Sequence, residues 1–185
     1  MTDNENKILT KSQRLSNWNS VQMRYEFKKS NQRKWTVKRG EVYYVDFGEN
    51  IGSEQNKARP CVVIQSDAFN FSAATFIGAI ISDSGRIIPD IHVPIIGSYY
   101  YKDVNKIQVR LEGAIDFGQI KTVAKERILF KIGVLKDEIH TIDEKLLSIF
   151  GLLGVMKGKD NRISFLENRV KSLQEKLQKY PENNS

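Results

Sequence analysis

Residues 38–67 read KRGEVYYVDFGENIGSEQNKARPCVVIQSD. Val42, Tyr44 and Phe47 fall in a first strand-like stretch. A polar loop follows, with Gly52-Ser53-Glu54-Gln55 toward one end and Arg59-Pro60 at the other. Pro60–Gln65 is then an apolar run of the kind found in a strand buried on both faces. Two short strands around a long polar loop set the local architecture, and the chain on either side extends the same pattern.

Phe76–Ile81 forms a further apolar run, and Ile91–Ile96 (IHVPII) and Gly113–Ile120 (GAIDFGQI) are further strand candidates, with residues 131–135 closing the set. Many short strands with turn signals and no long helix between them predict a mainly β fold, a small barrel. Residues 96–111 (IGSYYYKDVNKIQVRL) read as a long connection. Its Tyr99, Tyr100 and Tyr101 fit either base stacking or packing on the barrel edge.

Both ends read as helical. Residues 1–36 hold no Pro or Gly, and Leu15, Trp18, Gln22 and Tyr25 recur at helical spacing among Arg14, Arg24, Lys28 and Lys29. Trp18 and Tyr25 suit packing on the domain or a partner chain, or stacking on bases. Over residues 137–153, Ile139, Ile142, Leu146, Ile149 and Leu153 form an apolar stripe, with Asp137 as N-cap and Gly154 and Gly158 marking a break. Over residues 159–180, Ile163, Leu166, Val170, Leu173, Leu177 and Tyr180 step by alternating threes and fours, a short heptad seam with Arg162 at g and Glu167 at e. That seam either reinforces a dimer or packs back on the rest of the chain. The expected organisation is a basic helical extension over 1–36, a central domain over 37–154, and a heptad helix with a disordered tail over 155–185.

The chain of 185 residues carries a formal net charge of +7. The surplus lies at the ends: +5 in residues 1–36, −1 in 37–154 and +3 in 155–185. This reads either as two solvated helical tails or as basic arms for a polyanion. Cys61 is the single cysteine, so no internal disulfide forms, and its apolar surroundings make it a small core residue. There is no apolar stretch long enough to span a membrane and no signal-peptide core, so a cytoplasmic location is expected.

Candidate chemistry centres on the loop from Gly48 to Arg59. His92 and His140 stand in no metal-ligand spacing, and the sequence has no phosphate-cradling glycine loop and no nucleophile elbow. No metal or other cofactor is called for. Arginine presents a planar, permanently charged fork that matches two phosphate oxygens. A nearby hydroxyl can donate to a phosphoryl oxygen, and Glu and Gln can contact sugar or base edges.

The spaced combination of RGEVYYVDF at 39–47, GSEQ at 52–55, RP at 59–60, AIIS at 79–82 and QIKT at 119–122 resembles the MazF/PemK family of toxin endoribonucleases, over roughly residues 37–151. The resemblance implies an SH3-like small barrel with a C-terminal helix, and metal-independent cleavage of single-stranded mRNA at a short sequence, leaving 2′,3′-cyclic phosphate and 5′-hydroxyl ends. It makes Arg59 and Ser82 catalytic, with Ser53, Glu54, Gln55 and Gln119 binding substrate. It implies a homodimer, a cognate antitoxin that covers the RNA groove, and DNA binding in complex with that antitoxin. The residues alone leave plainer roles open: Arg59 pairing with Glu54, Ser82 as a strand-end turn residue, Glu54 and Gln55 as a solvated turn, Gln119 on a strand surface. The alternative function is a non-catalytic module on the same barrel that binds RNA or inhibits a protein target.

Overall fold

The computed structural model describes residues 2–27, 35–83 and 85–178. Eight strands form in chain order: β1 (Glu41–Asp46), β2 (Ala58–Val63), β3 (Thr75–Ser82), β4 (His92–Pro94), β5 (Tyr100–Lys102), β6 (Gln108–Arg110), β7 (Ala114–Ala124) and β8 (Ile128–Val134). Helices are α1 (Asp3–Glu26), the single turn α2 (Asp67–Asn70), α3 (Ile139–Ile149) and α4 (Leu153–Gln178). The chain divides into two compact units, Met1–Lys145 and Leu146–Ser185.

Six strands make one sheet in the order β4-β7-β3-β2-β1-β8, with every neighbour antiparallel. The mainly β architecture flanked by helices is the one read from the sequence. Among the described residues no ladder joins β4 to β8, so the hydrogen-bonded sheet is open at those edges. Tyr43, Val45, Phe47, Cys61, Val63, Phe76 and Ile80 form the core on one face, with Trp35 packed against them. Val42, Val62 and Ala79 lie in register and are fully buried on the other. The Val, Ile and Phe side chains among them contribute about 1.5–3 kcal/mol each by leaving water. Burial of both faces is why β2 reads as an apolar run and not as an alternation.

Residues 96–111 are not a bare loop. They form the hairpin β5–β6, whose turn is held by Asp103 accepting from the backbone N–H groups of Asn105 and Ile107 at 2.9 and 2.8 Å. Tyr101 stands against Phe130 and Tyr44, whose rings stack at 5.0 Å. Tyr99 donates to buried Glu138 at 2.7 Å, and Glu138 also accepts from the N–H groups of Ile96 and Gly97. Two of the three tyrosines are therefore packing residues, and only Tyr100 is exposed.

α1 begins with a capping box in which Thr2 and Glu5 bond each other's backbone N–H. Its covered positions are Lys11, Trp18, Val21 and Tyr25. Leu15 and Gln22, expected on that face, are exposed: the covered stripe runs from Lys11, bonded to Glu49 of the polar loop, to Trp18, Val21 and Tyr25. Part of the basic extension, residues 28–34, lies outside the described residues, as does Tyr180.

α3 starts at Ile139, so Glu138 precedes its first turn, not Asp137. It ends at Gly151, whose φ of +69° belongs to glycine. The N–H of Gly151 bonds Ser148 O and the N–H of Leu152 bonds Leu147 O, the paired bonds of a Schellman stop. The expected break at Gly154 and Gly158 is therefore misplaced: both lie inside α4, where a glycine costs helix propensity without ending the helix.

Candidate active site

Register brings two of the sequence-designated residues to one place. Cys61 of β2 pairs with Ile80 of β3. Arg59 lies two residues before Cys61 and Ser82 two residues after Ile80. In an antiparallel pair, both side chains therefore stand on the same face and toward the same end of the sheet. Arg59 is half-buried and Ser82 only 8% exposed. The Arg59 Nε–H donates to Asn56 O at 3.3 Å, which turns the guanidinium back along the loop. No Arg59–Glu54 ion pair is present among the described residues, since Glu54 is held elsewhere.

The loop between β1 and β2 is a braced structure. Gly48 and Lys57 close its base, with the Lys57 N–H bonding Gly48 O at 2.7 Å. Both have left-handed φ, +69° and +66°. For Lys57 that conformation costs roughly 1–2 kcal/mol, so the loop holds it by other bonds. Asn50 spans the interior, its amide donating to Phe47 O at 3.3 Å and Gln55 O at 2.7 Å, while Asn56 Oδ1 accepts from the Asn50 N–H.

Strand β7 grips the far side of the loop. Asp116 pairs with Ile80 and Ile120 with Ala79, so residues 117–119 form a bulge with no partner on β3. Asp116 fixes that bulge, accepting from the Gly118 N–H at 2.8 Å, and its Oδ1 lies 3.6 Å from His92 Nε2 on β4. The bulge carries Gln119 out to the loop, where its Oε1 accepts from the Gln55 N–H at 3.2 Å and its amide donates to Ser53 O at 3.3 Å. Two residues on, Lys121 Nζ lies 2.7 Å from Glu54 Oε2. Ser53, Glu54 and Gln55 are thus brought together, two of them by backbone bonds, and Gln119 is a loop tether and not a bare surface residue.

α1 grips the near side. Lys11 Nζ donates to Glu49 Oε2 at 2.8 Å and to Asn50 O at 2.9 Å, and this bond holds the Glu49 carboxyl below the usual carboxylate range. Trp18 lies over Gly48 so closely that a Cβ there would stand 2.1 Å from the indole. The Arg127 guanidinium also lies over the indole, 5.2 Å from its centroid. Tyr25 donates to Asp46 Oδ2 at 2.8 Å, and burial followed by this bond raises its phenol to about 12. Trp18 and Tyr25 are packing residues.

The sequence reading passed over Lys11, Asn50, Asn56 and Lys121. Lys121 sat inside the quoted QIKT string and was the one with a signal. The arrangement as a whole is a fixed polar loop that runs into Arg59, with the Ser82 hydroxyl toward the same end of the next strand. That combination can hold a phosphodiester and stabilise charge on its oxygens. Among the described residues, no group of three or more His, Cys, Asp or Glu side chains is arranged to hold a metal ion, and no helix is long and apolar enough to cross a membrane.

The comparisons with known proteins bear on the same segment. Residues 38–150 match the family described as PemK-like, MazF-like toxin of type II toxin–antitoxin system. Endoribonuclease EndoA of Bacillus subtilis is 36% identical over 112 residues, which covers 60% of this chain and 90% of that protein. The crystal structure of MazF from Deinococcus radiodurans aligns with a TM-score of 0.51 at 16% identity, over 64% of this chain and 99% of that one. An endoribonuclease in complex with its cognate antitoxin, from a mycobacterial species, aligns with a TM-score of 0.47 at 19% identity, over 63% of this chain and 95% of that one. With the family match spanning well over half its length, and with the braced loop, Arg59 and Ser82 all inside the matched segment, the chain belongs to the PemK-like, MazF-like toxins of type II toxin–antitoxin systems.

Proposed function

We propose that this toxin is an endoribonuclease that cleaves single-stranded mRNA at a short sequence without a metal. The observation that carries the reading is the placement of Arg59 and Ser82 on one face and toward one end of adjacent strands, with Arg59 at the end of a loop held by Gln119 and Lys121. The similarity to a curated endoribonuclease across this segment supports it.

RNA carries its own nucleophile. The 2′-oxygen attacks phosphorus as its proton passes to water, the P–O5′ bond breaks, and O5′ takes a proton from water. The products are a 2′,3′-cyclic phosphate and a 5′-hydroxyl. The enzyme must hold the 2′-oxygen in line and stabilise the charge on the phosphoryl oxygens. Arg59 binds the scissile phosphate, stabilises that charge and hydrogen-bonds the leaving O5′. It does not act as a base, because a guanidinium holds its protons throughout the working range. Ser82 donates to a phosphoryl oxygen. Ser53, Glu54 and Gln55 contact the RNA, with Gln119 setting their positions. The toxin acts in the cytoplasm as a homodimer and is neutralised by a cognate antitoxin, as membership of a type II system calls for.

The test is cleavage of a long unstructured RNA in excess chelator by the wild type and by Arg59→Ala. Discrete fragments with 5′-hydroxyl ends from the wild type alone support the reading. Tight RNA binding with no cleavage by either protein overturns it in favour of a non-catalytic binding module.

A further inference from the structure

We propose that α4 is an interaction surface for a second copy of this chain, forming a parallel, in-register, two-stranded coil with that copy's α4. The helix lies beyond the segment that matches the toxin family, and the proposal does not depend on RNA cleavage.

α4 runs for 26 residues with no buried side chain among those described. Ile163 and Val170 are each 53% exposed, Leu166 and Leu173 each 46%. Those four fall on a single stripe at heptad spacing. Solvent-facing helices do not keep such a stripe without something to cover it.

The residues at each position name the occupant. Ile163 and Val170 take position a, with Leu166 and Leu173 at d. β-branched residues at a with Leu at d are the combination that favours two parallel strands. The flanks agree. Position g holds Arg162, Arg169 and Lys176, and position e holds Asp160, Glu167 and Gln174. A parallel pair sets each g against the e five residues on in the other chain, so Arg162 meets Glu167 and Arg169 meets Gln174. An antiparallel pair would set g against g and e against e, placing cation beside cation and acid beside acid. One helix therefore complements a second copy of itself in one orientation. Arg162 stands on the flank of the stripe, 5.4 Å from the Phe165 ring centroid, and is in place to reach across. The seam starts at Ile163, because the preceding d position is Lys159.

Cysteine cross-linking in the full-length chain tests this. Cys61 is fully buried and stays in place. Val170→Cys puts a thiol at a, where a parallel in-register pair brings it against its own copy; Asn168→Cys puts one at f, on the outside. Mild oxidation of Val170→Cys is expected to give covalent dimer at least about tenfold faster than Asn168→Cys, through the effective concentration that pairing creates. Leu173→Cys, at d, is expected to behave like Val170→Cys. Arg162→Glu in the Val170→Cys chain is expected to slow the cross-link, and adding Glu167→Arg to restore it. No cross-link at positions 170 and 173, or equal rates at 170 and 168, overturns the proposal. The readout is unchanged by whether the first unit cleaves RNA.

Discussion

Lys121 Nζ lies 2.7 Å from Glu54 Oε2, and this contact ties the middle of the β1–β2 loop to strand β7. The pair is partly exposed, with side chains 22% and 53% accessible, so its contribution to stability is under about 1 kcal/mol. Its value lies in position. Lys121→Met is expected to leave the melting temperature nearly unchanged and to lower kcat/KM for RNA about tenfold, since small misplacements of binding groups slow in-line attack. Glu54→Gln should lose a similar amount, and the double variant little more, because both remove one contact. Steady-state kinetics of the four proteins checks this; fully additive losses would mean that the two residues act separately.

Ser82 sits at the end of β3 with its side chain almost covered. Ser82→Ala is expected to lower kcat by about a hundredfold to a thousandfold, the range for losing one hydrogen-bond donor to a developing oxyanion, with little change in KM. Ser82→Thr keeps the hydroxyl and is expected to retain most of the activity. Single-turnover rates on a defined RNA separate the two.

Gly48 meets two demands at once, a φ of +69° and the indole of Trp18 in the space a Cβ would fill. Gly48→Ala is therefore expected to destabilise by about 1–3 kcal/mol and to lift α1 from the loop base. Thermal unfolding measures the first effect and hydrogen exchange across α1 the second. Unchanged protection in α1 would show that the helix does not depend on this contact.

The Tyr25 phenol is raised to about 12 by burial and by its bond to Asp46. A phenol whose folded pKa exceeds its unfolded value favours the fold while neutral. The contribution is complete below about pH 10 and is lost as pH rises from about 10 toward 12. Tyr43, Tyr99 and Tyr101 are also raised, in each case first by burial, so the wild type weakens over this window through several groups. Tyr25→Phe is expected to start lower at pH 9 and to lose less between pH 9 and 11.5. Melting temperatures at the two values give the answer.

Strands carried by apolar runs were legible in the sequence because burial on both faces leaves a compositional mark. β2 and β3 lie within two residues of where the runs place them. β7 runs four residues past its expected end, since polar Lys121 and Thr122 hide a strand whose outer side serves the loop. The β5–β6 hairpin was missed because its strands are three residues long and its turn is set by one Asp side chain. Arg59, Ser82 and Gln119 could be named from spaced motifs. Lys11 could not, because an ion pair across 38 residues leaves no local pattern, and Lys121, though it stands in the QIKT string, gave no sign of its partner 67 residues away. Gly151 was passed over for Gly154 and Gly158 because the dihedral that stops a helix is set by the backbone around it, not by the presence of glycine.

Trp18 touches both Gly48 at the base of the loop and the guanidinium of Arg127. An indole's emission responds to the charge and the water around it, so this side chain is a fluorophore installed beside the candidate site. With Trp35 replaced by Phe, a single optical signal would follow the loop base in the unlabelled protein as RNA or an antitoxin arrives, on the timescale of a mixing experiment.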